Sequence, residues 1–258
     1  MMRLDGFEDR AAFVTGAAGG IGRALVAMLA GAGARVFATD TPAALEATPD
    51  AMSGVVWHPL DVRDSAAVDA AVARAAAELG PIRLGAHVAG VLATGTVVDT
   101  PDAEWQRVMD VNAGGVFRVG RALGARMRDQ GTGGALVVIG SNAGGIPRHA
   151  MGPYAASKAA AAMLVRCLGL ELAPHGIRCN IVAPGSTLTP MQTGMWTDNG
   201  GAARVVAGDL ASFRTGIPLG KLATPRDIAL AAMFLLSEGA GHITMADLYV
   251  DGGATLRG

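Results

Sequence analysis

The stretch Thr15-Gly16-Ala17-Ala18-Gly19-Gly20-Ile21-Gly22 decides how this chain folds. It lies between a short apolar run, Ala11-Ala12-Phe13-Val14-Thr15, and an Ala- and Leu-rich stretch that reaches Gly31. The run reads as a buried strand and the longer stretch as a helix. Glycines at the junction let the backbone turn tightly and approach a bulky anion. The start of the helix offers that anion free N–H groups and a partial positive charge. A glycine cluster alone marks any tight turn. With a strand before it and a helix after it, the cluster predicts a dinucleotide-binding turn, with Gly16, Gly20, Ile21 and Gly22 against a pyrophosphate.

The same alternation continues outward from this turn. Strand-like runs recur at residues 35–39, 55–59, 84–89, 136–139, 178–182 and 248–250, and helical patterns at 22–31, 65–79, 102–130, 154–173 and 225–237. Strands alternating with helices predict an α/β fold: a single-domain, Rossmann-type, doubly wound parallel sheet of about seven strands. The strands are almost continuously apolar, as burial on both faces requires. One dinucleotide-binding catalytic domain is expected over residues 1–258. Residues 186–220 break the rhythm, with Met191, Met195, Trp196 and Phe213 scattered among polar residues. This segment leaves the carboxyl end of a predicted strand, where open α/β sheets bind ligands, and is expected to be a flexible substrate lid. A surface excursion packed by its own side chains is the alternative.

Composition narrows the function. Of 258 residues 51% are hydrophobic but only 4% aromatic, so small side chains fill the core and let helices approach the sheet. A net charge of -1 with no basic or acidic run argues against nucleic acid or an anionic membrane as partner. The two cysteines, Cys167 and Cys179, have no metal-like spacing and suit a reducing compartment. The start, residues 1–9, carries acids and no run of signal-peptide length, and no stretch reaches the ~18 apolar residues of a membrane span. The expectation is a cytoplasmic protein with no metal site.

Asp40 closes the second predicted strand, 18 residues past Gly22 and close to the separation of about 20 at which an acid holds the adenosine ribose. A carboxylate there accepts from both ribose hydroxyls and repels a 2′-phosphate, and Ala17 and Ala18 offer that phosphate no cation; both facts favour NAD over NADP. Asp61 and Val62, after the third strand, are expected beside the adenine, although an aspartate before a helix is also an ordinary cap.

Tyr154 and Lys158 are four residues apart at the start of a helix and so share a face. A free phenol titrates near ~10 and is a poor base at neutral pH. A nearby ammonium, joined by a positive nicotinamide ring, favours the phenolate, and Lys158 can also bind the nicotinamide ribose. Ser141, 13 residues before Tyr154 at the end of a strand, can hold the substrate oxygen. Asn112 falls inside a helical pattern, where asparagine is mildly unfavourable, and a role in a water relay to Lys158 would account for it.

These residues are together similar to the short-chain dehydrogenase/reductase family over nearly the whole chain. The motifs that carry the likeness are Thr15–Gly22, Ala89-Gly90, Asn112, Ser141, Tyr154-Ala155-Ala156-Ser157-Lys158, Pro184-Gly185 and Asp251-Gly252-Gly253. The resemblance implies that Asn112, Ser141, Tyr154 and Lys158 act as a catalytic tetrad. It implies that Ala89 and Gly90 adjoin the cofactor, that Pro184, Gly185, Thr187 and Thr189 line the nicotinamide, and that the protein is a homotetramer, or a dimer of similar surfaces. One departure is His87, where the family usually has asparagine; it is expected to be a structural replacement.

Further stretches resemble the branch of that family that acts on 2,3-dihydro-2,3-dihydroxybenzoate in catechol siderophore synthesis: Ile146-Pro147-Arg148, residues 184–192 ending in Met191-Gln192, residues 216–221, and His242-Ile243-Thr244. That likeness implies NAD-dependent oxidation of a ring C3 hydroxyl followed by aromatisation. It leaves open whether the C2 substituent is hydroxyl or amino, as in 2,3-dihydro-3-hydroxyanthranilate. A carboxylate substrate needs a cation or several donors. Arg148 is the candidate, with Gln192 reading the C2 substituent and Met151, Met191 and Trp196 covering the ring. Two other readings stand beside this one. A ketoacyl or polyol reductase of the same fold would prefer NADPH and act on thioesters or polyols. A non-catalytic NAD(H)-sensing protein would bind NADH without turning over any alcohol.

Overall fold

The computed structural model describes residues 4–47 and 52–256. The ends of the expected 1–258 domain, the first three residues of the acidic start, and residues 48–51 lie outside the described residues. The seven strands are β1 (Ala11–Thr15), β2 (Arg35–Asp40), β3 (Val55–Pro59), β4 (Ile82–His87), β5 (Gly134–Ile139), β6 (Ile177–Pro184) and β7 (Asp247–Val250). All pair in parallel, in the order β3-β2-β1-β4-β5-β6-β7. The order reverses between β1 and β4, which opens a crevice at their carboxyl ends. Thr15, the last residue of β1, is in register with Thr39 on one side and His87 on the other, so the chemistry-bearing loops leave the sheet at one level.

The nine α-helices among the described residues are α1 (Gly20–Gly31), α2 (Pro42–Glu46), α3 (Ser65–Leu79), α4 (Asp102–Met109), α5 (Gly115–Gln130), α6 (Gly152–Leu172), α7 (Pro190–Thr193), α8 (Gly201–Ala207) and α9 (Pro225–Leu236). Helices α1 and α9 cover one face of the sheet through Leu25, Val26, Leu29, Ile228 and Leu236. On the other face α3, α5 and α6 bring in Val68, Val72, Val119, Leu123 and Val165. Every residue of β1 is buried, as a strand covered on both faces must be. None of these helices is long and apolar enough to cross a membrane.

The single helix expected over residues 102–130 is interrupted. A five-residue π-helical turn, Asp110–Gly114, separates α4 from α5. Its cause is a tertiary contact: the buried Asn112 side chain accepts the N–H of Val91 at 2.8 Å and donates to the Val91 carbonyl at 2.9 Å, and the adjacent Gly114 and Gly115 do little to hold regular helix. Strand β4 stops at His87, two residues before the expected end, because the Val88 N–H already turns to the Thr15 carbonyl at 3.1 Å. Residues 186–220 hold α7, α8 and a tight turn but no strand; a bridge of Thr187 to Ala223 anchors the start of the segment beside β6.

Candidate active site

Glycine is obligatory where β1 meets α1. Gly16 has φ +65, and a methyl group on it would lie 2.4 Å from the backbone N of Ala89. One on Gly22 would lie 2.0 Å from the Gly16 carbonyl oxygen. The turn is therefore pressed against the next loop, and it leaves a smooth cradle. No side chain caps the start of α1, so its leading N–H groups are free for an anion. Gly20, Ile21 and Gly22 line the trough in front of them. These features fit a dinucleotide pyrophosphate.

Asp40 lies at the far end of this trough. One carboxylate oxygen accepts the N–H of Ala18 at 3.0 Å and the other that of Thr41 at 2.8 Å, which fixes the group while leaving lone pairs for a diol. Asp61 and Val62 line the same end. Asp61 is gripped by the Arg63 guanidinium at 2.6–3.0 Å, and those hydrogen bonds hold its carboxyl below the usual range. Arg63 and Arg107 were not singled out from the sequence, yet both reach this end. Each is already matched with an acid, Arg63 with Asp61 and Arg107 with Glu104.

The trough continues into a second cavity that shares Ile21, Val88, Gly90, Thr189 and Met191 with it. Ser141, Tyr154, Lys158, Pro184, Gly185 and Thr187 line that cavity. Pro153 in the first turn starts α6, since its fixed φ suits that position, and Tyr154 and Lys158 then project one turn apart. Lys158 is buried and donates to the Ile139 carbonyl at 3.0 Å, with Nζ 5.8 Å from the Tyr154 ring centroid. Burial lowers the Lys158 ammonium to about 8. The Tyr154 phenol is pushed up by burial, and the hydrogen bond with Ser141 pulls it back only in part. The protein alone thus does not depress the phenol in the way the spacing of Tyr154 and Lys158 suggested: desolvation outweighs an ammonium that is spent on a carbonyl.

Asn112 is also engaged, with both amide hydrogens donated and its oxygen accepting once. Beside its two bonds to Val91 it donates to Ser157 Oγ at 3.0 Å, tying the π-helical turn to α6. His87 faces the same interior. Its Nδ1 shares a hydrogen bond with Thr15 Oγ1 at 2.9 Å, and burial, with the Lys158 charge added, lowers it to about 3.

Of the residues assigned to substrate, Arg148, Met151, Met191 and Gln192 converge on the cavity that holds Ser141 and Tyr154. Trp196 does not. Its indole packs on Gly201, where an added methyl would lie 2.2 Å from Cγ, and it faces an adjoining cleft instead. In the cavity of Ser141 and Tyr154 its neighbour Met195 takes the place foreseen for it, because α7 ends at Thr193 and the chain then turns. Arg214 lines the cavity as well. Sequence reasoning missed it; the available signal was a lone cation between Gly208 and Gly216 in the segment read as a lid.

A family model described as enoyl-(acyl carrier protein) reductase matches residues 16–255. The chain belongs to the short-chain dehydrogenase/reductase family. As a member of that family it uses a nicotinamide cofactor. Among its relatives, the 2,3-dihydro-2,3-dihydroxybenzoate dehydrogenase of Bacillus subtilis is 50% identical, over 99% of each chain. The vibriobactin-specific 2,3-dihydro-2,3-dihydroxybenzoate dehydrogenase of Vibrio cholerae is 44% identical, over 94% of this chain and 95% of its own. The crystal structure of a short-chain type dehydrogenase/reductase from Mycobacterium marinum superposes with a TM-score of 0.87 at 31% identity, over 97% of each chain.

Proposed function

We propose that this short-chain dehydrogenase/reductase oxidises the C3 hydroxyl of a 2,3-dihydrobenzoate-type ring acid with NAD+, in siderophore or secondary-metabolite biosynthesis in the cytoplasm. The observation that carries the reading is Arg148: a half-buried guanidinium, without a hydrogen bond or salt bridge among the described residues, in the cavity of Ser141 and Tyr154. An unpaired cation at that depth suits an anionic substrate. The 50% identity to a dehydrogenase of such an acid supports the same chemistry. NAD is favoured over NADP by Asp40 and by the prior engagement of Arg63 and Arg107 with acids.

Bound in the trough, the oxidised nicotinamide supplies the hydride acceptor and a positive charge beside the phenol. Gly90, Pro184, Gly185, Thr187 and Thr189 surround its place, and Lys158 is within the same cavity to hold the ribose. Ser141 donates to the substrate oxygen. Tyr154 removes the C3 hydroxyl proton as the C3 hydrogen leaves with its electron pair. The ketone so formed sits beside a C2 carbon that still carries hydrogen, and loss of that proton gives the aromatic ring and drives the oxidation forward. Residues 186–220 act as the lid that excludes water, with Gln192 next to the C2 substituent and Met151 and Met191 on the ring. Association into a homotetramer belongs to this reading, supported by exposed Phe117 on α5 and Met163, Leu164 and Leu170 on α6.

The test is NADH formation from the 2-hydroxy and 2-amino dihydro-acids side by side, with NADP+ in place of NAD+ as one control and NADPH oxidation by a β-ketoacyl thioester as another. Turnover of either acid with NAD+ is expected. Activity confined to the thioester, or NADH binding with no turnover, would support the other two readings.

A further inference from the structure

Arg214 closes a six-residue loop, 209–214, in the segment 186–220. Its N–H donates to the Asp209 carbonyl at 2.8 Å, and the Asp209 N–H donates to its carbonyl at 2.9 Å. The Asp209 carboxylate fills the loop between them, accepting from the N–H of Ala211 at 3.1 Å and from Ser212 Oγ at 2.6 Å. Below the turn the two chain segments touch backbone to backbone. Gly208 and Gly216 have φ +82 and +81, and a methyl on Gly208 would lie 2.5 Å from both the Arg214 carbonyl oxygen and the Gly216 nitrogen. Arg214 is therefore presented by a rigid backbone, which is a poor use of structure for a solvated arginine.

Arg214 lines the cavity that also holds Arg148, Gln192, Ser141 and Tyr154, at its border with the cleft faced by Trp196, and its charge acts on Arg148. Nine salt bridges join other arginines to acids among the described residues, and neither Arg148 nor Arg214 takes part in one. In the electrostatics Arg148 senses Asp251 and Arg214 senses Asp209, whose carboxylate is already engaged with Ala211 and Ser212; Asp251 is engaged as well. Its oxygens are taken by Asn142 at 3.3 Å and by the N–H groups of Gly253 and Thr255 at 3.0 Å. Two like charges facing one cavity repel each other unless an anion comes between them.

We propose that Arg214 is a second substrate-binding cation that closes on the ring carboxylate opposite Arg148, so that the lid segment itself selects acids over neutral ring alcohols. This rests on the ring-acid reading given above. The geometry makes the carboxylate the link between the fixed loop before α6, which carries Arg148, and the lid, which carries Arg214.

The experiment is calorimetric binding of 2,3-dihydroxybenzoate and of catechol to the NADH-loaded enzyme, for the parent, Arg214→Ala, Arg214→Lys and Arg148→Ala, with thermal melting to confirm folding. Arg214→Ala is expected to weaken the acid about 10- to 100-fold while catechol stays within about threefold, and ethylguanidinium in the buffer is expected to restore part of the acid's affinity. Arg214→Lys should recover part of the loss, since a point charge replaces a fork. An acid affinity within twofold of the parent in Arg214→Ala, equal losses for acid and catechol, or a parent that binds no acid would overturn the proposal. Should the parent bind the acid through Arg214 yet oxidise no dihydro-acid, the carboxylate site stands and the proposed reaction falls.

Discussion

The Lys158 ammonium donates to the Ile139 carbonyl at 3.0 Å while lying 5.8 Å from the centre of the Tyr154 ring. The lysine is thus held by strand β5, at the level where Ser141 leaves the sheet, and not by the phenol it serves. Tyr154→Phe should lower turnover by about 10²–10⁴-fold with NADH binding intact, followed by fluorescence titration; activity within tenfold of the parent contradicts its role as base. Lys158→Ala should lose both rate and cofactor affinity, and unchanged affinity contradicts the ribose contact.

Ser141 lowers the Tyr154 phenol against the upward pull of burial. In Ser141→Ala that opposing hydrogen bond is gone, so the phenol titrates higher and the rise of kcat with pH should shift to more alkaline pH. A pH–rate profile measures this, and a profile that keeps its position contradicts the link.

Asp40 accepts two backbone N–H groups and has lone pairs left over for a ribose diol. Asp40→Ala should reduce the preference for NAD+ over NADP+, read as the ratio of kcat/KM values. A parent enzyme that already prefers NADP+ contradicts the reading.

His87 is neutral in the folded protein, lowered to about 3 against 6.5 for a free imidazole. Between those two values the unfolded chain binds a proton that the folded chain does not. The His87 contribution to stability therefore falls as pH drops below 6.5 and is constant above it. His87→Asn should flatten this acid limb, seen as a smaller loss of urea midpoint between about pH 7.5 and about pH 5. An equal loss in both proteins contradicts the account.

Arg148→Ala should weaken use of the dihydro-acid by about 10- to 150-fold, with much less effect on a neutral cyclic alcohol. Equal losses on both would reduce Arg148 to a shaping role in its loop.

The sheet was legible because parallel strands buried on both faces must be apolar throughout, as β1 is, and because glycine at 16 and 22 has no substitute in so close a turn. The conjunction of Ser141, Tyr154 and Lys158 was legible for a related reason: strand ends and a helical spacing of four place them without any long-range information. The segment from 186 to 220 was not. Its side chains are aimed by short helices and turns, so Trp196 was drawn to the ring on character alone while α7 points it at Gly201. Arg214 went unseen because its direction depends on a backbone contact between Gly208 and Gly216. The interruption at Asn112 likewise follows from a hydrogen bond to Val91, 21 residues away.

The most direct test of the reaction uses 2,3-dihydro-2,3-dihydroxybenzoate deuterated at C3, with NAD+ and the parent enzyme, and mass analysis of the reduced cofactor. The account predicts that the deuterium moves to the nicotinamide, that 2,3-dihydroxybenzoate is released, and that Tyr154→Phe suppresses both. Reduced cofactor without deuterium, or no oxidation of this acid or its 2-amino analogue, would contradict it.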